Sequence, residues 1–293
     1  MTDDEYLNAV LHAQTLVPGG SELTDLERQR KNVIALLDRK LGSTRRTDSK
    51  GGSWAKGTMN REVYDLDLPT YFAHDEVGAG ESLEDIYNTV ADAMSEGFYV
   101  ERRRSALRLR DKDGQADSHI DLVPGRFFDA TEGDAWIYQN NADKCRLKTN
   151  LGVHVEHIRD SGVRPAIRLQ KLWNVREGVG MKTFVLELLV VELLKQRTRS
   201  PLSSQLRYVL EQFRDHADSL TVADPANTSN DLTPALAHVK SRLALSATLT
   251  LAKVDVDGWQ SIFGSMKVED KRSAAIRVAA TVPAATQYRP HAE

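Results

Sequence analysis

One cysteine, Cys145, stands in the 293 residues, which excludes an internal disulfide framework and any thiolate-rich zinc site. Charge of one sign is not in surplus either. The formal net charge is −3 with a pI near 6.3, so nothing in the total marks a protein that coats DNA or a membrane surface, and any contact with nucleotide must be local. Apolar runs of membrane-spanning length are also missing. The longest, FVLELLVVELL at 184–194, is interrupted by Glu187 and Glu192 and reads as a buried helix, so no membrane partner is expected. The segment MTDDEYLNAV carries no basic-then-apolar signal, and cytoplasmic placement is the expectation. What the chain does have is apolar content: at 41% it can bury a real core, arranged as one large domain or two packed lobes.

The pattern changes near residue 150. Before it, the periodicity predicts helices over 22–41 and 82–96 and strands over 63–72, 98–103, 105–110 and 117–123, an α/β half with DKDG at 111–114 as a hairpin turn. After it, strands are expected to stop, with helices near 151–161, 163–176, 181–197, 201–217 and 231–254. The expected organisation is a catalytic lobe over 1–150 that includes the N-terminal helices, a helical lobe over 151–280, and a loosely attached tail over 281–293.

The stretch GGSWAKGTMNREVYDLDLPTYF at 51–72 carries the chemistry. Asp65 and Asp67 are two apart on a strand-like run, so both carboxylates project from one face while Leu66 and Leu68 turn into the core. Like charges that close raise each other's cost of ionisation, and a divalent cation relieves it; Mg²⁺ takes a few carboxylate oxygens together with water and phosphate. Two surface aspartates on a solvated edge are the plainer reading of D-x-D alone. Its company changes the weighting. Gly51 and Gly52 permit unusual backbone and close approach, and Ser53 adds a hydroxyl suited to a triphosphate. On a strand through 117–123, Asp121 shares a face with His119 and Val123 while Ile120 and Leu122 face inward, so three acids can surround two metal ions.

G-S followed by D-x-D, then a hydrophobic strand with a third Asp, resembles the nucleotidyltransferase superfamily with the DNA polymerase β fold. HIDLVPG at 119–125, IRLQKLWN at 167–174, MKTFVLELLV at 181–190 and VADPANTSND at 222–231 further resemble, in order, segments of the oligoadenylate synthetases and of the cGAS/DncV-like nucleotidyltransferases (CD-NTases). The resemblance covers roughly residues 45–235. It implies an α/β (α+β) polymerase β-like lobe with a mixed sheet beside an α-helical lobe, the active site lying in the cleft between them. It also implies Asp65, Asp67 and Asp121 as catalytic metal ligands for two Mg²⁺, with Mn²⁺ an alternative. Gly52 and Ser53 fall on the triphosphate, Lys171 on the donor phosphates, Thr183 on phosphate and Phe184 on the donor base, although Phe184 also reads as core. The implied activity joins NTPs, ATP or GTP among them, into a cyclic di- or trinucleotide signal in bacterial anti-phage (CBASS) defence, read by a separate effector protein.

Two other classes stay open: a transferase of the same fold that makes linear oligonucleotides or modifies tRNA or protein, and a non-catalytic nucleotide-binding regulator, which would be expected to have lost an aspartate. The zinc insertion by which the vertebrate relative reads DNA is not expected with one cysteine. His154 and His157, three apart on an expected helix, lack an evident third ligand and are left outside the site. Arg102, Arg104, Arg108 and Arg110 share strand parity and read as a solvated basic face.

Overall fold

The computed structural model describes residues 1–112, 119–140 and 145–264; the tail expected over 281–293, residues 265–280 of the expected helical lobe and half of the DKDG turn lie outside them. Along the chain the elements are α1 (Asp3–Ala13), α2 (Ser21–Leu41), β1 (Arg46–Asp48), α3 (Gly52–Lys56), β2 (Leu66–Phe72), α4 (Leu83–Met94), β3 (Phe98–Arg102), β4 (Leu107–Asp111), β5 (Ile120–Phe127), β6 (Ala135–Tyr138) and β7 (Arg146–Thr149). There follow α5 (Leu151–Arg159), α6 (Arg164–Arg176), α7 (Thr183–Leu194), α8 (Leu202–His216), β8 (Ala223–Asp224), β9 (Asn227–Asp231), a 3₁₀ turn over Thr233–Leu236, α9 (Lys240–Asp257) and α10 (Gln260–Phe263).

Seven strands form one mixed sheet in the order β1-β2-β5-β4-β3, with β6 paired to β5 and β7 to β6. Only β2 and β5 run parallel; every other pairing is antiparallel. The period-2 alternation of β2 and β5 explains one face. Leu66, Leu68, Ile120 and Leu122 are buried in a core closed by Val33, Leu36 and Leu37 of α2 and by Ile86, Val90 and Met94 of α4. Asp67 and Asp121, one step out of phase, are cross-strand partners on the opposite face. α4 is fixed in place by a capping box between Ser82 and Asp85.

A second core joins α5 to α10. It is built around Trp173, whose Nε1 donates to Thr250 Oγ1 at 2.8 Å, and around Phe213 and the apolar α7. α7 is apolar nearly all round because helices cover most of its circumference.

Several elements depart from the sequence expectation. Strands do not stop at residue 150: β8 and β9 form a hairpin around Pro225 and Ala226. The helix expected over 231–254 begins only at Lys240, because Pro234 cannot continue a regular helix and instead starts a 3₁₀ turn. α1, β1, β6 and β7 were too short or too weakly periodic to read. α1 packs into the helical core through Tyr6, Leu7, Val10 and Leu11, not against the sheet. Its Asp4 carboxylate accepts from the Ser203 amide at 2.7 Å and Tyr6 donates to the Gly264 carbonyl, while Arg168 of α6 reaches the Leu11 carbonyl at 3.2 Å.

Candidate functional site

The glycine turn is pressed onto β2. The Gly51 amide donates to the Asp67 carbonyl at 2.9 Å, and the Ser49 amide to the Pro69 carbonyl at 2.9 Å. Gly52 has φ +52°, and a β-carbon there would lie 1.5 Å from Asp67 Oδ2, so no other residue fits against that carboxylate. Ser53 follows in α3. It is buried, and among the described residues its Oγ has no hydrogen-bond partner.

The parallel register sets Asp67 beside Asp121, and one oxygen each of Asp65 and Asp121 together with a ring nitrogen of His119 lie within 4.8 Å of one another. His119, absent from the expected ligand set, therefore joins the acids. Asp67 lies on the turn side of them, and its carboxyl is pushed up to about 7, first by burial and then by the charges of Asp65 and Asp121, against the pull of Lys56. A crowd of partly desolvated carboxylates that suppresses the ionisation of its own member fits a divalent cation, as does the oxygen-rich donor set.

Arg108 does not belong to a solvated basic face. The antiparallel register places it opposite Asp121, and its Nε and Nη2 donate to the two carboxylate oxygens at 2.9 and 2.8 Å. The turn between β3 and β4 breaks the parity assumed for the arginines: Arg102 instead bonds Asn88, and Arg110 lies 4.0 Å from Glu101.

Asp67 lines a cavity of about 330 Å³ with Gly52, Lys56, His154, Phe184, Asp224 and Asn230, where the sheet faces the helical lobe. Asp65 and His119 line another, of about 500 Å³, with Tyr64 and residues of α2. Asp65 thus faces one cavity and Asp67 the other. A larger one, about 790 Å³, lies by the N-terminus of α4, β6 and β7 and touches none of the three aspartates.

Of the residues expected on phosphate or base, Phe184 lines the first cavity, its ring centroid 4.8 Å from that of His154 and 5.2 Å from the Lys56 ammonium. Thr183, the first residue of α7, is exposed and does not line it. Lys171 is not in the cavity either. It is buried behind the turn, its Nζ donating to the Thr58 carbonyl at 2.9 Å and lying 3.4 Å from Glu187 Oε1; burial lowers its pKa, partly countered by Glu187. The cation in the cavity is Lys56, which pairs with Glu187 of α7. Thr58 Oγ1 also donates to Glu187, at 2.6 Å. Burial alone would raise the Glu187 pKa, but Lys56 and Lys171 outweigh it and hold the carboxyl below its ordinary range. Sequence spacing could not select Lys56, because lysine in a short helix usually points to solvent.

His154 belongs to the site as well. Its Nε2 lies 2.7 Å from Asp224 Oδ1 on the β8–β9 hairpin, and Asn230 donates to the other oxygen at 2.9 Å. Burial opposes ionisation of Asp224, but these bonds and the Ala226 amide prevail and lower its pKa. The hairpin and α5 are thereby locked together along the cavity wall. His157 does not join them: burial lowers its pKa, and it contributes nothing to the lining.

No family model matches the chain. It is 22% identical over 265 residues to the CBASS oligonucleotide cyclase CdnC of Escherichia coli (strain KTE188), covering 75% of this chain and 82% of that protein. Among solved structures it resembles E. coli MS115-1 CdnC with ATP, at TM-score 0.66 and 17% identity over 90% of this chain and 98% of that one. The Bradyrhizobium diazoefficiens CD-NTase CdnG with GTP gives TM-score 0.67 and 16% identity, covering 96% and 98%. The Vibrio cholerae cyclic AMP-GMP synthase DncV gives 0.59 and 14%, covering 92% and 86%. The fold is therefore the polymerase β-like one that the motifs implied, a mixed sheet beside a helical lobe.

Proposed function

We propose that this chain, a cGAS/DncV-like nucleotidyltransferase by fold and by sequence likeness, joins NTPs into a cyclic di- or trinucleotide signal, in the manner of the CBASS cyclases it resembles. The observation that carries the reading is that Asp65 lines one cavity and Asp67 the other, with Asp121 beside Asp67 on β5: joining two nucleotides needs the reacting bond at the acids and a base on either side. A ribose hydroxyl of the nucleotide on the Asp65 and Tyr64 side attacks the α-phosphorus of the NTP on the Lys56 side. The new P–O bond forms as the bond to pyrophosphate breaks, and a second attack in the same site closes the ring. Divalent cations, Mg²⁺ or Mn²⁺, held by the three aspartates would supply Lewis-acid stabilisation of the attacking and leaving oxygens. Ser53 and Lys56 hold the triphosphate, Phe184 packs on the donor base, and Lys171 fixes Thr58 and Glu187 from behind, so that Lys56 is presented to the cavity. The product would be a diffusible signal read by a separate effector protein, within the cytoplasm; among the described residues no helix is long and apolar enough to cross a membrane.

The test is direct. Purified protein with all four NTPs and Mg²⁺ or Mn²⁺ is expected to release pyrophosphate and form an oligonucleotide that resists phosphatase, whose mass gives its composition and ring size. A phosphatase-sensitive ladder would assign a linear synthase, and label moved to added tRNA or protein would assign a modifying transferase.

Ser53→Ala separates binding from folding. Removing a buried, unpaired hydroxyl should leave the melting temperature unchanged or slightly raised. NTP affinity is expected to fall about tenfold, the loss of one hydrogen bond to a charged group. Isothermal titration with a non-hydrolysable NTP checks it; equal affinity would remove Ser53 from the phosphate site.

A further inference from the structure

His119 stands two residues before Asp121 and projects from the same face. Its Nε2 is buried and, among the described residues, has no hydrogen-bond partner. Asp121 Oδ2 lies 3.8 Å away, too far for a hydrogen bond and too near to leave the ring indifferent to what sits between them. Asp65 completes the set within 4.8 Å. Ligand atoms on opposite sides of a small divalent ion, each at about 2.1 Å, are about 4.2 Å apart, so the three close on an ion with side-chain movements below about an ångström. Arg108 does not prevent this. Its guanidinium takes one lone pair on each oxygen of Asp121, and a carboxylate offers about four such positions.

We propose that His119 is a nitrogen ligand to the cation held by Asp65 and Asp121, and that it biases this site toward an imidazole-accepting ion, Mn²⁺, over Mg²⁺. The inference rests on the reading of Asp65 and Asp121 as cation ligands. Mg²⁺ prefers an all-oxygen octahedron and keeps its waters, whereas first-row transition ions accept imidazole readily. A ring nitrogen that has no hydrogen-bond partner among the described residues, and that lies beside two carboxylates, offers such an ion a third donor atom.

The full chain without nucleotide, titrated with Mn²⁺ and observed by pulsed electron paramagnetic resonance, tests this. One tightly bound Mn²⁺ is expected, with echo modulation from a directly coordinated ¹⁴N. His119→Gln should abolish the modulation and weaken Mn²⁺ binding about tenfold, while Mg²⁺ affinity, measured by competition, changes less than twofold. Mn²⁺ that binds without nitrogen modulation in the wild type, or modulation that survives in His119→Gln, overturns the inference and leaves the aspartate reading standing. Mn²⁺ binding that is equally tight in Asp65→Asn overturns both. The wild-type spectrum decides the point even if the His119 variant folds poorly.

Discussion

Asp65→Asn combined with Asp67→Asn abolishes nucleotidyl transfer while giving a protein that, without divalent cation, melts higher than wild type at pH 8. The loss of turnover is expected to exceed a thousandfold, because transition-state charge stabilisation by bound cations disappears with their ligands. The gain in stability follows from the same carboxylates. Asp67 has a folded-state pKa near 7, raised first by burial and then by Asp65 and Asp121. The folded protein therefore holds a proton that the unfolded chain releases between about pH 4 and 7, so stability is fullest below that window and falls as pH rises through it. Above it both states are ionised and the loss is complete. At 1.36 kcal/mol per pKa unit, the loss is on the order of 4 kcal/mol as an upper bound, a shift of several degrees in melting temperature. Asn cannot ionise, so the double variant should lack this decline, and added Mg²⁺ or Mn²⁺ should raise the melting temperature of the wild type alone. Thermal melts at pH 5 and pH 8 with and without metal, beside a turnover assay, check both halves. Undiminished product formation would remove these residues from the metal site.

Glu187→Ala is expected to cost about 3–5 kcal/mol of stability, the usual penalty for removing one partner from a buried ion pair and leaving the others bare. Here two ammonium groups, Lys56 and Lys171, lose their shared carboxylate, and Thr58 loses an acceptor, in a setting where Glu187 is fully buried. Chemical denaturation measures it. Replacing Lys56, Lys171 and Glu187 together by apolar residues should restore much of the stability but not NTP binding, since Lys56 lines the cavity. A loss below about 1 kcal/mol for the single variant would mean that water reaches the cluster and that the turn is not anchored by α7.

The central strands β2 and β5 and their acids were legible because period-2 alternation has one solution once Leu66, Leu68, Ile120 and Leu122 are assigned to the core: Asp67 and Asp121 must share the other face. The pairings that decide the roles of basic residues were not. Arg108 looked like one of four similar arginines, and only the register of β4 on β5 puts it across from Asp121. Lys171 and Lys56 carry the same charge; which one reaches the cavity depends on how α3 packs against α7, a contact between segments more than a hundred residues apart. Nothing in the sequence ties His154 to the site, because its partner is Asp224, on a two-strand hairpin whose polar sequence has no strand periodicity.

The packing of α1 has a bearing on how the protein is made. Tyr6, Leu7, Val10 and Leu11 belong to the helical core, yet the whole sheet intervenes before α6 and α8, the helices they pack on. On the ribosome α1 emerges before the sheet and before α6 and α8, and its wait for those two helices is on the order of ten seconds or more at ordinary elongation rates. Throughout that interval its apolar stripe is open to chaperones and to the α1 segments of neighbouring nascent chains. The helical lobe therefore closes late and around α1, with Asp4 capping the start of α8 and Tyr6 reaching the Gly264 carbonyl after α10. Fusions that tether or delay residues 3–13 should lower the yield of folded protein without touching a single residue of the nucleotide cleft.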